Sequence, residues 1–131
     1  MRLLAYIGVG SAIGGIARFL LSSAIQQRVA GSFPVGTLVV NISGSLLLGF
    51  LLRYTLSTPA VSAEVRAMLT TGFCGGYTTF STYSYETAAL LEDGDYRRAS
   101  VYIALSVTAA LVGMFLGLAG ARELIAWRAR L

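Results

Sequence analysis

The feature that most constrains this chain is a series of four apolar stretches, each about as long as a membrane-spanning helix. Of its 131 residues, 56% are hydrophobic and only 12% are charged, whereas a soluble domain carries about a quarter charged residues. A bilayer core of roughly 30 Å is crossed by about 20 apolar residues in a helix. The sequence therefore predicts an all-α integral membrane protein, with four transmembrane helices in a single domain over residues 1–131.

Proline, glycine and charged residues set the expected boundaries of these stretches. We expect the first span at 3–24 and the second at 34–54, because proline suits the first turn of a helix. The third is expected at 67–86 and the fourth at 98–121, followed by a basic amphipathic tail at 122–131. The GxxxG pairs Gly10 with Gly14 and Gly113 with Gly117 predict close approach of a second helix backbone.

The third stretch contains residues that do not favour a continuous helix. Gly75 and Gly76 lie near its middle and are followed by Thr78 and Thr79. Glycine is a poor helix former, and hydroxyl side chains offer the freed backbone alternative partners. We therefore expect this helix to break at its centre. Broken backbone at membrane depth persists only where protein buries it or where it lines a cavity, so the break indicates a binding site.

The polar side chains at membrane depth are mostly neutral. Those that could line a pathway are Thr37, Asn41, Thr78, Thr79, Ser81, Thr82, Tyr83, Tyr102 and Ser106. Such side chains offer hydrogen-bond donors without fixed charge, and the edges of aromatic rings add positive electrostatic potential. This lining favours a small hard anion, because a cation would require carbonyls or carboxylates.

Each of these side chains also has a structural interpretation. Hydroxyls in membrane helices commonly bond to their own backbone or link neighbouring helices. Asn41 fits interhelical bonding and ligand contact equally well. Structural pairing is favoured for Glu86, with Arg97 or Arg98 as its partner, and a position lining an entrance is the alternative. It is also favoured for Arg18, for which an electropositive vestibule is the alternative.

The ten basic residues, all arginines, give a net charge of +4 but form no basic run. They are scattered at helix ends, which indicates anchors at the membrane interface and no nucleic-acid partner. Six lie on the side of the two termini and three or four on the other. This bias is weak for a rule that normally sets orientation, and it permits insertion both ways.

Three motifs resemble those of the Fluc/CrcB family of bacterial fluoride channels. The most specific is Gly-Phe-Cys-Gly-Gly-Tyr-Thr-Thr-Phe-Ser-Thr at 72–82, and the others lie at 14–18 and 34–44. The resemblance implies an antiparallel, dual-topology homodimer in the bacterial plasma (inner) membrane, with no protein partner required beyond a second copy. It implies export of fluoride from the cytoplasm by passive electrodiffusion through two pathways.

The resemblance also implies a role for each residue of the pathway. Asn41 would donate to fluoride, Phe80 and Tyr83 would form an aromatic box, and Ser81 and Thr82 would supply hydroxyls. The remaining members of the polar track would be Tyr102 and Ser106, with Thr37 and Glu86 nearer its ends.

A structural sodium ion is the one cofactor that the resemblance implies. The backbone carbonyls of Gly75 and Thr78, from both subunits, would hold it at the dimer centre. Two positions depart from the family pattern: Tyr83 stands where phenylalanine is usual, and Ala110 where a hydroxyl is frequent.

Three other functions fit the sequence less well. A small multidrug exporter would need a carboxylate in its first helix, which here contains Arg18 and no carboxylate. A non-transporting assembly factor would give no reason for the glycine pair and its flanking hydroxyls. A membrane enzyme is disfavoured, because the chain has no histidine and no carboxylate pair at membrane depth.

Overall fold

The computed structural model describes residues 1–130, which contain helices and no strand, and the all-α prediction is confirmed. Helices α1 and α2 span Arg2–Gln26 and Val35–Leu56. The next run consists of α3, Ala63–Ala67, a π-helical segment, Met68–Cys74, and α4, Gly75–Tyr77. Because the backbone stays helical at both junctions, these three pieces form one rod, the 63–77 helix. Helices α5, Phe80–Glu92, and α6, Tyr96–Arg128, follow.

Three helices, α1, α2 and α6, are long and apolar enough to cross a membrane. The 22 residues of α2 give a length of about 33 Å, close to the thickness of a bilayer core. The stretch expected as the third span is divided instead, since the 63–77 helix ends at Tyr77 and α5 contains 13 residues.

Helix α6 is longer at both ends than the predicted 98–121. The side chain of Asp95 caps its start by accepting from the backbone N–H of Arg98 at 3.1 Å. No glycine or proline follows position 121, so the helix continues to Arg128 and includes most of the predicted tail. Position 131 of that tail lies outside the described residues.

Helix α1 packs against the 63–77 helix through glycines on both sides. A Cβ atom added at Gly10 or Gly14 would collide with backbone carbonyls of the 63–77 helix, and one added at Gly76 would lie 2.5 Å from the carbonyl oxygen of Ser11. The close approach predicted for the first GxxxG pair is confirmed.

Helices α2 and α6 form the second close pair. A Cβ added at Gly117 would collide with the α2 backbone, and one added at Gly49 of α2 would lie 2.5 Å from the carbonyl oxygen of Met114. At Gly113 the nearest α2 carbonyl oxygen would be 3.0 Å away. The second GxxxG prediction is therefore also confirmed.

The parallel course of α2 and α6 gives the molecule two distinct ends. At one end the rings of Phe33 and Tyr102 meet edge to face, with centroids 5.7 Å apart; we call this the Glu86 end. At the other end Arg128 donates to the hydroxyl of Tyr54. We call the second the basic end, which comprises residues 1–2, 53–66 and 122–130.

Candidate ion pathway

Helical geometry is lost at Thr78 and Thr79, not at the glycine pair. Gly75 and Gly76 belong to α4, whereas Thr78 has φ −88° and ψ 159° and Thr79 has φ −150° and ψ 122°, both extended. Two extended residues redirect the chain between the 63–77 helix and α5. The interruption therefore lies two residues beyond the glycines, at the residues with hydroxyl side chains.

Asn41 of α2 holds the backbone at this interruption. Its Nδ2 donates to the carbonyl of Thr79 at 3.0 Å, and its Oδ1 accepts from the N–H of the same residue at 2.8 Å. A carboxamide carries two N–H donors, so one remains for a further acceptor. The interhelical role of Asn41 is observed, and it leaves a donor for a ligand.

The hydroxyl of Thr79 begins α5. It accepts from the backbone N–H of Thr82 at 3.1 Å and donates to the Thr82 hydroxyl at 3.0 Å, and the Ser81 hydroxyl lies 3.2 Å away. Ser81 and Thr82 are both exposed. Thr79 was named among the polar side chains at membrane depth but was given no role, although a threonine before a helical run is the usual signal of an N-cap.

The carbonyls of Gly75 and Thr78 lose the donors that a continuous helix would give them. In an α-helix they would accept from the N–H groups of Thr79 and Thr82, but these bond to the side chains of Asn41 and Thr79. Carbonyls of this kind are suitable ligands for a hard cation. Within the described residues no group of three or more acidic, histidine or cysteine side chains could hold a metal, so a cation here would depend on carbonyls.

Arg18 lies beside this interruption. Its Nη1 donates to the carbonyl of Thr78 at 3.4 Å. The guanidinium also lines a cavity of about 250 Å³ together with Ser22, Thr37 and Thr82. Arg18 therefore combines a structural contact with a position on a polar cavity.

The carboxylate of Glu86 is held by two hydroxyls from other helices. Thr37 of α2 donates to Oε1 at 2.8 Å, and Tyr102 of α6 donates to Oε2 at 2.7 Å. Thr37 and Tyr102 are both buried. The structure thus joins three of the predicted pathway residues in one cluster at the Glu86 end.

The predicted pairing of Glu86 with Arg97 or Arg98 is wrong. Arg98 lies 3.3 Å from the carboxylate of Asp95, one turn earlier, and it donates to the hydroxyl of Ser32. That ion pair is the only one found within residues 1–130. Because Asp95 is the cap of α6, the start of this helix supplies Arg98 with a nearer carboxylate than Glu86.

Aromatic rings connect the interruption to the Glu86 cluster. The ring centroids of Phe80 and Tyr83 are 5.4 Å apart, and those of Tyr83 and Tyr102 are 5.3 Å apart. Phe80 is 79% exposed, so one end of this series has no protein covering it within the single chain.

A cavity of about 420 Å³ runs between α2, the interruption and α6. Asn41, Phe80, Tyr83, Ser106 and Ala110 are among its lining residues. The hydroxyl of Ser106 is buried and has no hydrogen-bond partner within the described part of the chain. An unpaired buried hydroxyl costs free energy unless a ligand or water satisfies it, so this wall of the cavity can accept a hydrogen-bonding guest.

The nine predicted pathway residues therefore form two groups joined through the contact between Tyr83 and Tyr102. The group at the interruption comprises Asn41, Phe80, Ser81, Thr82, Tyr83 and Ser106, and the group at the Glu86 end comprises Thr37, Glu86 and Tyr102.

Known proteins resemble this chain over most of its length. Residues 5–118 match the family described as CrcB-like protein, Camphor Resistance (CrcB). A Geobacter sulfurreducens protein named fluoride-specific ion channel FluC is 46% identical over 118 residues, which cover 90% of this chain and 95% of the relative. A protein of the same name from Syntrophotalea carbinolica is 46% identical over 121 residues, covering 92% and 98%.

A third relative with this name, from Geotalea daltonii, is 45% identical over 122 residues, or 93% of this chain and 98% of the relative. These relatives are named as ion channels and not as enzymes. With the long apolar helices α1, α2 and α6, these matches show that the chain is a multi-pass bacterial membrane protein belonging to the CrcB family.

Proposed function

We propose that this protein is a fluoride channel that exports fluoride from the cytoplasm by passive electrodiffusion. The observation that carries the proposal is the series of neutral hydrogen-bond donors and aromatic rings that leads from Asn41 to Glu86, in a chain whose relatives are named for fluoride. Such a lining replaces the water donors around a small anion without a fixed positive charge that would trap it.

The pathway begins beside the helix interruption. The second N–H of Asn41 and the unpaired hydroxyl of Ser106 are donors for the anion, since both side chains line the same cavity. The rings of Phe80 and Tyr83 flank it and present their positive edges. Exchange between several weak donors allows the anion to bind and still leave.

Transfer at the Glu86 end requires a change of partners. The hydroxyls of Thr37 and Tyr102 donate to the carboxylate of Glu86, and a fluoride ion accepts the same kind of hydrogen bond. We infer that the two hydroxyls turn from Glu86 to the passing anion. The repulsion between the carboxylate and fluoride then favours release of the anion from this end.

The interrupted stretch inserts into the membrane as one span. The 63–77 helix and α5 together cross the bilayer as the third of four transmembrane segments, with the interruption inside the membrane. Asn41 and Thr79 satisfy three of the backbone groups at the interruption, namely the carbonyl and N–H of Thr79 and the N–H of Thr82. Internal satisfaction of such groups is the condition for broken helices in lipid.

The active form is an antiparallel, dual-topology homodimer in the inner membrane. The exposed ring of Phe80 and the cavity beside it supply a surface that a second copy covers. The weak asymmetry of the arginines is compatible with both insertion directions. The dimer thereby contains two pathways.

A structural sodium ion at the centre of the dimer fits the carbonyls of Gly75 and Thr78, contributed by both subunits. The Thr78 carbonyl accepts from Arg18 at 3.4 Å, and its second lone pair remains for the ion. When bound, the ion would supply positive charge beside carbonyl oxygens that carry partial negative charge. Asn41 and Thr79 contribute by keeping the competing N–H groups turned away.

The test is fluoride efflux from liposomes that contain the purified protein, followed with a fluoride electrode, with chloride efflux as the control. We expect rapid efflux of fluoride only, and a loss of at least about tenfold in Asn41→Ala and Phe80→Ile. A well-folded wild-type protein that releases no fluoride would refute the proposal.

A further inference from the structure

The basic end of the molecule contains a second cavity, far along α2 from the ion pathway. It has a volume of about 270 Å³, and its lining includes Tyr54, Ser57, Ile125 and Arg128. Since α2 is about as long as a bilayer core is thick, its C-terminal residues lie at the depth of the lipid headgroups. The neighbouring Trp127 is 58% exposed, as is typical of aromatic residues at the membrane interface.

The charge of this end is strongly positive. It carries six of the ten arginines, namely Arg2, Arg53, Arg66, Arg122, Arg128 and Arg130, against two acidic side chains, Glu64 and Glu123. No side-chain ion pair involves these arginines within residues 1–130. An excess of unpaired cations at headgroup depth attracts anionic lipid.

Arg128 is held in a fixed position at the cavity. Its guanidinium carbon lies 5.9 Å from the centre of the Tyr54 ring, and its Nη1 donates to the hydroxyl of the same tyrosine. The Tyr54 ring stacks on Phe50 at 5.8 Å with an interplanar angle of 9°. A guanidinium supported in this way keeps further N–H groups that can bind phosphate oxygens in a forked geometry.

The carbonyls at the end of α2 do not need Arg128. The carbonyl of Arg53 accepts from the N–H of Ser57 at 3.2 Å, and that of Tyr54 accepts from the Thr58 hydroxyl at 2.8 Å. Arg66 donates to the carbonyl of Thr55 at 3.2 Å. A basic residue beside a helix C-terminus usually donates to the last carbonyls of the helix. Here other groups donate to these carbonyls.

We propose that this cavity binds the phosphate of an anionic phospholipid headgroup, with Arg128 as the main contact and Tyr54 as its positioning residue. Ser57 at the cavity wall carries a further hydroxyl for the headgroup, and Ile125 offers apolar surface to the glycerol and the upper acyl chain. This site is independent of the fluoride pathway, because it shares no residue with that pathway.

The test is titration of the purified full-length protein with phosphatidylglycerol and with phosphatidylcholine, counting bound lipids by native mass spectrometry. Wild type is expected to bind phosphatidylglycerol about tenfold more tightly, and Arg128→Gln to lose about tenfold of that affinity, as for a charge-assisted hydrogen bond. Arg130→Gln is the matched control, since it removes the same charge two residues away and is expected to change the affinity less than about twofold.

Equal losses of affinity in Arg128→Gln and Arg130→Gln would overturn the site, because binding would then depend on diffuse surface charge alone. No loss of affinity in either variant would also overturn it. Tyr54→Phe is the second variant, which keeps the supporting ring and removes the hydroxyl that orients Arg128. We expect it to weaken binding by about threefold. Inorganic phosphate at millimolar concentration is expected not to displace the lipid; displacement would mean a site for free anions.

Discussion

At the level of single residues, the ring contacts of Tyr83 would be preserved by a phenylalanine, but its hydroxyl would be lost. Its ring packs between Phe80 and Tyr102, and the side chain lines the cavity at the interruption. The ring therefore fills a structural position, and the hydroxyl is a further donor on the proposed pathway. The resemblance to the family implies that phenylalanine is usual at this position, and Tyr83 departs from that pattern.

Tyr83→Phe is expected to leave the fold unchanged and to raise the fluoride efflux rate by about two- to fivefold. The physical reason is that one donor fewer binds the anion less tightly and lets it leave sooner. Efflux from liposomes at saturating fluoride measures the effect. Thr108→Ala serves as the control, because Thr108 is exposed on α6 and bonds only to the carbonyl of Ala104 in its own helix. A fall in rate would show instead that the Tyr83 hydroxyl is a required donor.

At the level of helices, close packing depends on the position of each glycine. One glycine contacts the neighbouring helix, whereas the glycine next to it in sequence has free space around it. A Cβ at Gly14 would collide with the backbone carbonyl of Phe73, whereas one at Gly15 would meet no atom within 4 Å. The two adjacent positions thus differ only in the face of α1 on which they lie.

Gly14→Ala is expected to destabilise the protein by about 1–3 kcal/mol, because α1 must move away from the 63–77 helix. Gly15→Ala is expected to change the stability by less than about 0.5 kcal/mol, since a surface substitution touches no packed atom. Thermal unfolding in detergent, followed by fluorescence, compares the two variants. Similar unfolding temperatures for both would contradict the packing described here.

The apolar helices were predictable from the sequence, and the details of the interruption were not. Length and hydrophobicity suffice for α1, α2 and α6. The position of the interruption depends on Asn41, which binds Thr79 from 38 positions away in the chain, and no local pattern reveals that contact. Propensity favoured a break in the segment that contains Gly75, Gly76, Thr78 and Thr79, without deciding which of them leave helical geometry. Gly76 packs against Ser11 of α1 and stays helical.

The partners of Glu86 were missed for the same reason. A carboxylate and two arginines near one membrane interface suggested an ion pair, whereas the carboxylate is held by hydroxyls of Thr37 and Tyr102 from two other helices. Which face of α5 meets α2 and α6 is a tertiary property. The polar residues at membrane depth could be named from the sequence, but their grouping into two clusters could not.

At the level of the whole molecule, the single chain leaves exposed surfaces that the proposed dimer would cover. Phe80 is largely exposed, and it lines the cavity between α2, the interruption and α6. A dimer with sodium at its centre accounts for the exposed ring and for the freed carbonyls of Gly75 and Thr78 together.

Replacing sodium with potassium throughout purification is expected to lower the unfolding temperature of the dimer by about 4 °C or more, since a ligand that binds only the folded state stabilises it. We expect the larger potassium ion to bind the proposed carbonyl site less tightly, since selectivity between cations depends on the size of the site. Restoring sodium is expected to restore the unfolding temperature. Both cations are added as chloride salts at equal ionic strength, which controls for a general effect of salt. An unfolding temperature that does not depend on the cation would contradict a structural sodium site.

Passive conduction of fluoride is tested most directly by the reversal potential of the current in a planar bilayer with unequal fluoride concentrations and equal chloride. We expect a reversal potential of about 59 mV for each tenfold fluoride gradient, unchanged when a pH gradient is imposed. A potential that follows chloride, or one that shifts with the proton gradient, would contradict selective electrodiffusion of fluoride.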